Sequence, residues 1–392
     1  MKMNVRKFVK LFALVVALPL AFAACGDDKN DPVIPTPDPT PVTPDPTPTP
    51  EPDYSVSADK QGLFVFNGGN MGSSIDGSLS FINFSKGEVT NGAFMAANGR
   101  SLGGTVQNGA VFHNNLYIAV YGSKTVEVVD KITLKTVKQI SIPETHDGPR
   151  FIIADDNYVY ASLYDGAVIR INPETNDIIS TIPVGPNPEE MTIANGFLYV
   201  VNSDGLNYDN GYVNGKTVSK IDLASFTEVK KIEVGINPTR IATDGSNVYA
   251  LSNGDYYTVP STIHKIDAQD NVTDLGVEAA WLAVNDGMLY TISSAWTSDA
   301  DGNWYTIDAY KQYNLSDMSV VSEAYLGENV VDAPAGIAFD AEGGRLFVSS
   351  YSKVDGYTSY STAGYVNEYT LGGKLEHTYE VGVGPCFMLV LR

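Results

Sequence analysis

Cysteine is almost absent: the 392 residues contain two, Cys25 and Cys386. A disulfide framework is therefore excluded once Cys25 is committed elsewhere. Histidine is nearly as scarce. His113, His146, His264 and His377 are scattered without the spacing of a metal site, and none is placed as a catalytic base. Basic residues are few, 25 against 46 acidic ones, for a net charge of −21. Setting aside the four basic residues before position 11 takes −21 to −25. Phosphate backbones need clustered Lys and Arg, so nucleic acid is excluded as a partner. No apolar period of 3.6 persists anywhere, which argues against a helical protein. There is no Gly-x-Ser-x-Gly elbow, no phosphate loop and no zinc-hydrolase motif.

The first 53 residues read as an address and a spacer. Lys2, Arg6, Lys7 and Lys10 precede the apolar run Leu11 to Ala24, which is too short to span a bilayer comfortably. Phe22-Ala23-Ala24-Cys25 resembles a bacterial lipobox, with Phe22 where Leu is usual. The resemblance implies a signal peptide over 1–24 and lipidation of Cys25; an ordinary secretory signal is the alternative. The acidic run Gly26 to Asp31 resembles a surface-export signal, implying the outer face of the outer membrane. Proline fills ten of the 21 positions from Pro32 to Pro52. Such a segment cannot build a core and forms an extended polyproline II spacer, reaching roughly 65 Å. Residues 25–53 are thus read as a tether.

What remains, 54–392, is rich in Tyr and Gly and carries a repeat. Leu/Val followed by Tyr/Phe stands at 63–64, 116–117, 159–160, 198–199, 248–249, 289–290 and 346–347, with spacings of 39 to 57 residues. That period fits one four-stranded propeller blade per copy, so the sequence predicts an all-β, seven-bladed β-propeller. A second repeat precedes most copies: Gly148-Pro149-Arg150, Asn187-Pro188-Glu189, Asn237-Pro238-Thr239, Ala333-Pro334-Ala335 and Gly384-Pro385-Cys386. It marks an innermost strand, since Pro is tolerated at a strand entrance. The chain opens with a second strand at Gly62 and finishes with an inner strand, Phe387 to Leu391. The C-terminal strand is therefore predicted to join the first blade and close the ring.

This topology sets second-to-third loops and blade-to-blade loops on one face. Those loops are long and aromatic: Asn67 to Asp76, Ser203 to Lys216, Asn253 to Ser261, Ser294 to Asp308 and Ser350 to Gly364. Long loops carry function, and Tyr and Trp combine a rigid contact surface with a polar tip. The expected ligand contacts are Asn67, Asn70, Arg100, Tyr121, Arg150, Tyr164, Asn202, Tyr208, Arg240, Asn253, Tyr256, Tyr257, Trp281, Trp296, Trp304 and Tyr351. The inner strands read as Ile, Val, Met, Ala and Phe, without the acidic calcium ligands that enzymatic propellers bring to the channel. The protein is accordingly read as a non-enzyme that requires no cofactor. Asp299-Ala300-Asp301-Gly302-Asn303, and Asp204, Asn207, Asp209 and Asn210, give weak hints of calcium, but polar loop tips explain both. Cys386 is expected to be a buried small hydrophobe.

Together the blade repeats, lipobox, acidic signal and stalk resemble the YncE-like seven-bladed propeller lipoproteins of gut Bacteroidota. More narrowly, the chain is similar to surface propellers that bind cobalamin beside a TonB-dependent outer-membrane transporter. The resemblance implies capture of vitamin B12 and other corrinoids and their transfer to the transporter. It implies no membrane contact beyond the lipid anchor. A glycan- or other nutrient-binding propeller, and a protein-interaction module of a transporter, remain open.

Overall fold

A computed structural model describes residues 54–298 and 304–392 of the chain. The expected signal peptide, Cys25 and the tether lie outside the described residues. So do Asp299 to Asn303 and the side chains of Trp296, Trp304 and Tyr305.

Seven four-stranded antiparallel sheets form the seven blades of a β-propeller. Blades 2 to 6 are consecutive meanders over residues 106–141, 149–183, 188–233, 238–274 and 281–322. Blade 7 has strands Pro334–Asp340, Arg345–Ser350, Ala363–Thr370 and Leu375–Val383, with a small hairpin inserted between its second and third strands. Blade 1 is composite. Strands Gly62–Asn67, Ser78–Asn83 and Glu88–Thr90 come from the start of the domain, and the inner strand Pro385–Leu391 comes from its end. Phe64 faces Leu389 and Leu63 faces Val390 across that antiparallel seam. The ring closes as the sequence predicted.

The dipeptide repeat is the device that builds the core. Consecutive strand residues point to opposite sheet faces, so each copy sends one apolar side chain to each neighbouring blade. Leu116 packs with Phe64 and Phe66 of blade 1, whereas Tyr117 packs with Val159, Ala161 and Leu163 of blade 3. The same division recurs around the ring and ends with Phe347 packed on Leu63 and Val65. Seven apolar clusters thus fill seven blade interfaces, and Tyr117, Tyr160, Tyr199 and Tyr249 are at most 1% exposed. Each fully buried ring of this size contributes about 1.5–3 kcal/mol of apolar burial. Two of their hydroxyls reach carboxylates in the turn that leads into their own strand, Tyr249 to Asp244 (2.7 Å) and Tyr160 to Asp155 (3.0 Å).

One expectation about the loops changes. Ser294 to Asp308 is not a free loop: strands Met288–Ser298 and Trp304–Asn314 continue the blade 6 hairpin, with Trp296 opposite Thr306. The aromatic and β-branched residues there favour the extended ladder over a coil. The connection between blades 1 and 2 contains a short helix, Ala93–Asn98, which buries Ala93 and Phe94.

The third strand of blade 5 holds a buried polar anomaly. His264 is 8% exposed, and its Nδ1 finds no hydrogen-bond partner among the described residues. Burial lowers its pKa from 6.5, with Asp274 opposing. The unfolded chain then binds the proton more readily, so stability is fully present above pH 6.5 and declines as pH falls below it. Melting curves between pH 7.5 and 5.5 should show this decline in the native protein and a flatter profile in His264→Gln. Parallel profiles would exclude the imidazole as its source.

Candidate functional site

In six of the seven blades the inner strand is bulged within its first residues, as at Pro149/Phe151, Pro188/Met191 and Pro238/Arg240. A bulge re-aims side chains and bends the strand. Here the six bulges all lie at the start of the inner strand, at one end of the channel. Just above each bulge, the residue after the second strand donates its backbone N–H to the residue before the inner strand. The pairs include Tyr121 to Thr105 (2.9 Å), Tyr164 to Gly148 (3.2 Å), Asn253 to Asn237 (2.9 Å) and Tyr351 to Ala333 (3.0 Å). Second-to-third loops and blade-to-blade loops are thereby tied on one face around the channel mouth.

That mouth opens into a cavity of about 610 Å³, within the usual ligand-pocket range of about 300–1,000 Å³. Its wall is a charged belt. Arg150 Nε donates to Glu189 Oε2 (2.5 Å), and Arg150 Nη1 donates to Gln107 Oε1 (3.1 Å). Arg240 Nη1 donates to Glu190 Oε1 (2.8 Å), and its Nε to the Ala280 carbonyl (2.9 Å). Glu190 also accepts from the Ile241 N–H (3.2 Å). Burial raises the Glu190 carboxyl above its ordinary pKa, against the pull of Arg240. The belt is two ion pairs, formally neutral in sum.

Aromatic rings flank the belt. Arg150 lies 5.2 Å from the Tyr164 ring centre and Arg240 lies 5.3 Å from that of Trp281. Burial, then Glu189, pushes the Tyr164 hydroxyl up to about 12. The Trp281 indole N–H is buried and finds no acceptor among the described residues. Asn253 Nδ2 donates to Tyr256 Oη (3.0 Å), and Tyr256 meets Tyr212 edge to face. Above the mouth, Leu206, Tyr208, Tyr257, Tyr357 and Tyr360 are exposed, Tyr257 at 95%.

Of the expected contacts, Arg150, Tyr164, Arg240, Asn253, Tyr256 and Trp281 line the cavity. Tyr121 stands edge to face against Tyr164 (5.9 Å). Tyr351 meets Tyr360 edge to face, and burial pushes its hydroxyl up to about 12. Tyr208 and Tyr257 sit on the exposed rim. Four others serve the scaffold. Asn67 and Asn202, both 0% exposed, end second strands and donate across the blade to Ser80 Oγ and Ser219 Oγ (3.0 Å each). Asn70 caps the 3-10 turn Met71–Ser73 and donates to the Tyr360 carbonyl. Arg100 neutralises the buried Glu127 (2.5 Å) at the side of blade 2. Trp296 and Trp304 occupy the blade 6 hairpin backbone.

The belt corrects the reading of the inner strands as wholly apolar. Glu189 and Glu190 are adjacent, and a regular strand would send them to opposite faces; the bulge brings both to the cavity wall. Gln107 and Asn108 were also missed. Asn108 zips blades 2 and 3 by accepting from the Ile152 N–H (2.9 Å) and donating to its carbonyl (2.8 Å). The second Pro repeat flagged this layer, but residue type alone did not show which side chains turn inward. Cys386 also lies here. Its thiol donates to the carbonyls of Gln107 (3.2 Å) and Phe66 (3.4 Å), and burial pushes it up to about 11. In the 204–210 loop the calcium-like residues satisfy one another: Asn207 Nδ2 donates to Asp204 Oδ2 (2.9 Å).

A family model for a domain of unknown function, DUF5074, matches residues 61–294. The chain belongs to the DUF5074 family. The DUF5074 region carries Arg150, Glu189, Glu190, Arg240 and Trp281, whereas Cys386 and Phe387 enter the mouth from beyond it through the closing strand. No curated protein matches the sequence. Among solved structures, the chain is similar to Kuenenia stuttgartiensis hydrazine synthase, at 15% identity and TM-score 0.56. That match covers 71% of this chain and 87% of the other. It is also similar to the computationally designed Ika8 protein, at 11% identity and TM-score 0.52, covering 86% and 98%. At these identities the likeness shows the propeller fold alone.

Proposed function

We propose that this DUF5074 propeller is a non-catalytic capture protein, held at the outer membrane through a lipid on Cys25, whose channel mouth binds a corrinoid such as cobalamin for a TonB-dependent transporter. The observation that carries a binding role is the cavity, where paired charges, amides and aromatic faces converge. Because Arg150 and Arg240 are already matched by Glu189 and Glu190, the mouth favours a ligand rich in dipoles over a simple anion. A corrinoid suits that chemistry: it is a broad disc with methyl-covered faces and peripheral amides. Gln107 and Asn253 offer amide partners, the orphan Trp281 N–H offers a donor, and the exposed tyrosines offer surface for whatever the cavity leaves uncovered. The disc with its nucleotide tail is larger than the cavity, so the proposal places one edge or the tail in the mouth. The likeness to YncE-like cobalamin-binding lipoproteins supplies the ligand's name. A non-catalytic role agrees with the Cys386 thiol, which stays protonated at neutral pH.

Titration with cyanocobalamin, cobinamide and a panel of neutral glycans tests this. Stoichiometric, coloured co-elution with cyanocobalamin is expected. No heat or retention with any corrinoid would remove the corrinoid proposal, and binding of a glycan alone at the mouth would replace it.

A further inference from the structure

On the face opposite the mouth, the turns of blades 2 and 3 enclose a second cavity of about 490 Å³. One wall is an aromatic stack: Tyr54 lies on His113, ring centres 3.8 Å apart and planes at 8°, and His113 lies against Phe112 (4.1 Å). Tyr54 is pinned there, because Lys131 Nζ donates to its carbonyl (2.5 Å). Tyr158 forms the facing wall, with one side of its ring covered by Arg170 (4.6 Å). Between the walls stand Asp156, Asn157 and Glu174, all solvent-exposed, whose side chains make no hydrogen bond or ion pair among the described residues. The neighbouring Asp155 is fully used: it holds the turn through the Asn157 and Tyr158 N–H groups and the Tyr160 hydroxyl. The unpartnered groups are therefore not needed to form the turn. None of the side chains lining this cavity is a lysine or arginine.

We infer that this cavity is a binding site for a neutral polyhydroxylated ligand, a sugar unit. Two free carboxylates accept paired hydroxyl donors, an amide both donates and accepts, and flanking rings cover the C–H face of a pyranose. An anion is disfavoured by the carboxylates and by the lack of a lysine or arginine in the lining. A simple cation would leave the amide donor unused. The site is independent of the mouth: it lies across the ring and shares no lining residue with it.

Titration calorimetry and saturation-transfer NMR on the full-length protein would use glucose, galactose, maltose and cellobiose, with glucuronate and spermidine as charged controls. At least one neutral sugar is expected to bind, and Asp156→Asn/Glu174→Gln should weaken it at least tenfold. The melting temperature should not change, because neither carboxylate holds the fold. Arg240→Met, at the mouth, should leave this binding intact. The inference is overturned if no neutral sugar binds, if binding survives the double substitution, if it is lost with Arg240→Met, or if spermidine alone occupies the cavity. A failure of corrinoid titration at the mouth would not alter any of these outcomes.

Discussion

Deleting residues 384–392 is expected to yield insoluble protein, or a soluble species that binds hydrophobic dyes and melts without cooperativity. Those residues supply the whole inner strand of blade 1, so the deletion exposes the edge of strand Gly62–Asn67 along its full length. An exposed apolar edge is a template for aggregation. The loss also opens two interfaces. Leu391 belongs to the cluster between blades 1 and 2, and Met388 to that between blades 7 and 1. Polar closure goes with them. Ser349 Oγ donates to the Pro385 carbonyl (2.8 Å), and Arg392 pairs with Asp340, which is 2% exposed. Arg345 still reaches Asp340 (3.0 Å), so that buried charge is not wholly stranded, and the larger effect comes from the strand itself. Size-exclusion chromatography and thermal unfolding decide the matter. A monomeric truncation with unchanged melting would show that the seam does not hold the ring.

The seam was legible in the sequence because it rests on pattern: an unmatched second strand at one end and an unmatched inner strand at the other. The blades were legible for a related reason. A buried second strand needs an apolar residue on both faces at every interface, so Leu116 and Tyr117 must recur as neighbours whatever the loops do. The mouth was half legible. Tyr121, Tyr164, Asn253 and Tyr351 all follow a dipeptide at the same offset, which sets each just beyond its second strand on the loop face. The pattern breaks one residue earlier. Asn67 and Asn202 resemble loop amides but end their strands pointing between blades, where Ser and Thr of the third strand receive them. It breaks again at Glu189 and Glu190, because a bulge interrupts the alternation on which inside and outside are assigned. Arg100 was misplaced for want of its partner: nothing near it in the sequence announces that Glu127, 27 positions away, is buried and needs a cation.

Replacing Arg240 by Met is expected to lower stability by about 2 kcal/mol and to abolish ligand retention at the mouth. Removing one member of a buried ion pair strands the other, and full burial would cost about 3–5 kcal/mol. The partial exposure of this pair, 29% for Arg240 and 22% for Glu190, reduces that figure. Two consequences separate the scaffold role from the binding role. First, Glu190→Gln with Arg240→Met should recover most of the stability, since no charge is left without a partner, but not the binding, because the guanidinium beside Trp281 is still absent. Second, the single variant should be pH-dependent. Burial already raises the folded pKa of Glu190 above its ordinary 4.5, and losing Arg240 raises it further. A carboxyl whose folded pKa exceeds its unfolded value favours folding below the unfolded pKa and loses that contribution as pH rises through the folded one. The deficit of Arg240→Met should therefore be small near pH 4 and full at pH 7. Denaturant unfolding at both pH values, beside cyanocobalamin titration of the single and double variants at pH 7, reads these effects independently. If the double variant binds as the native protein does, Arg240 only braces Glu190 and the mouth recognises its ligand without it. If the single variant loses neither stability nor binding, the belt is not the wall of the site.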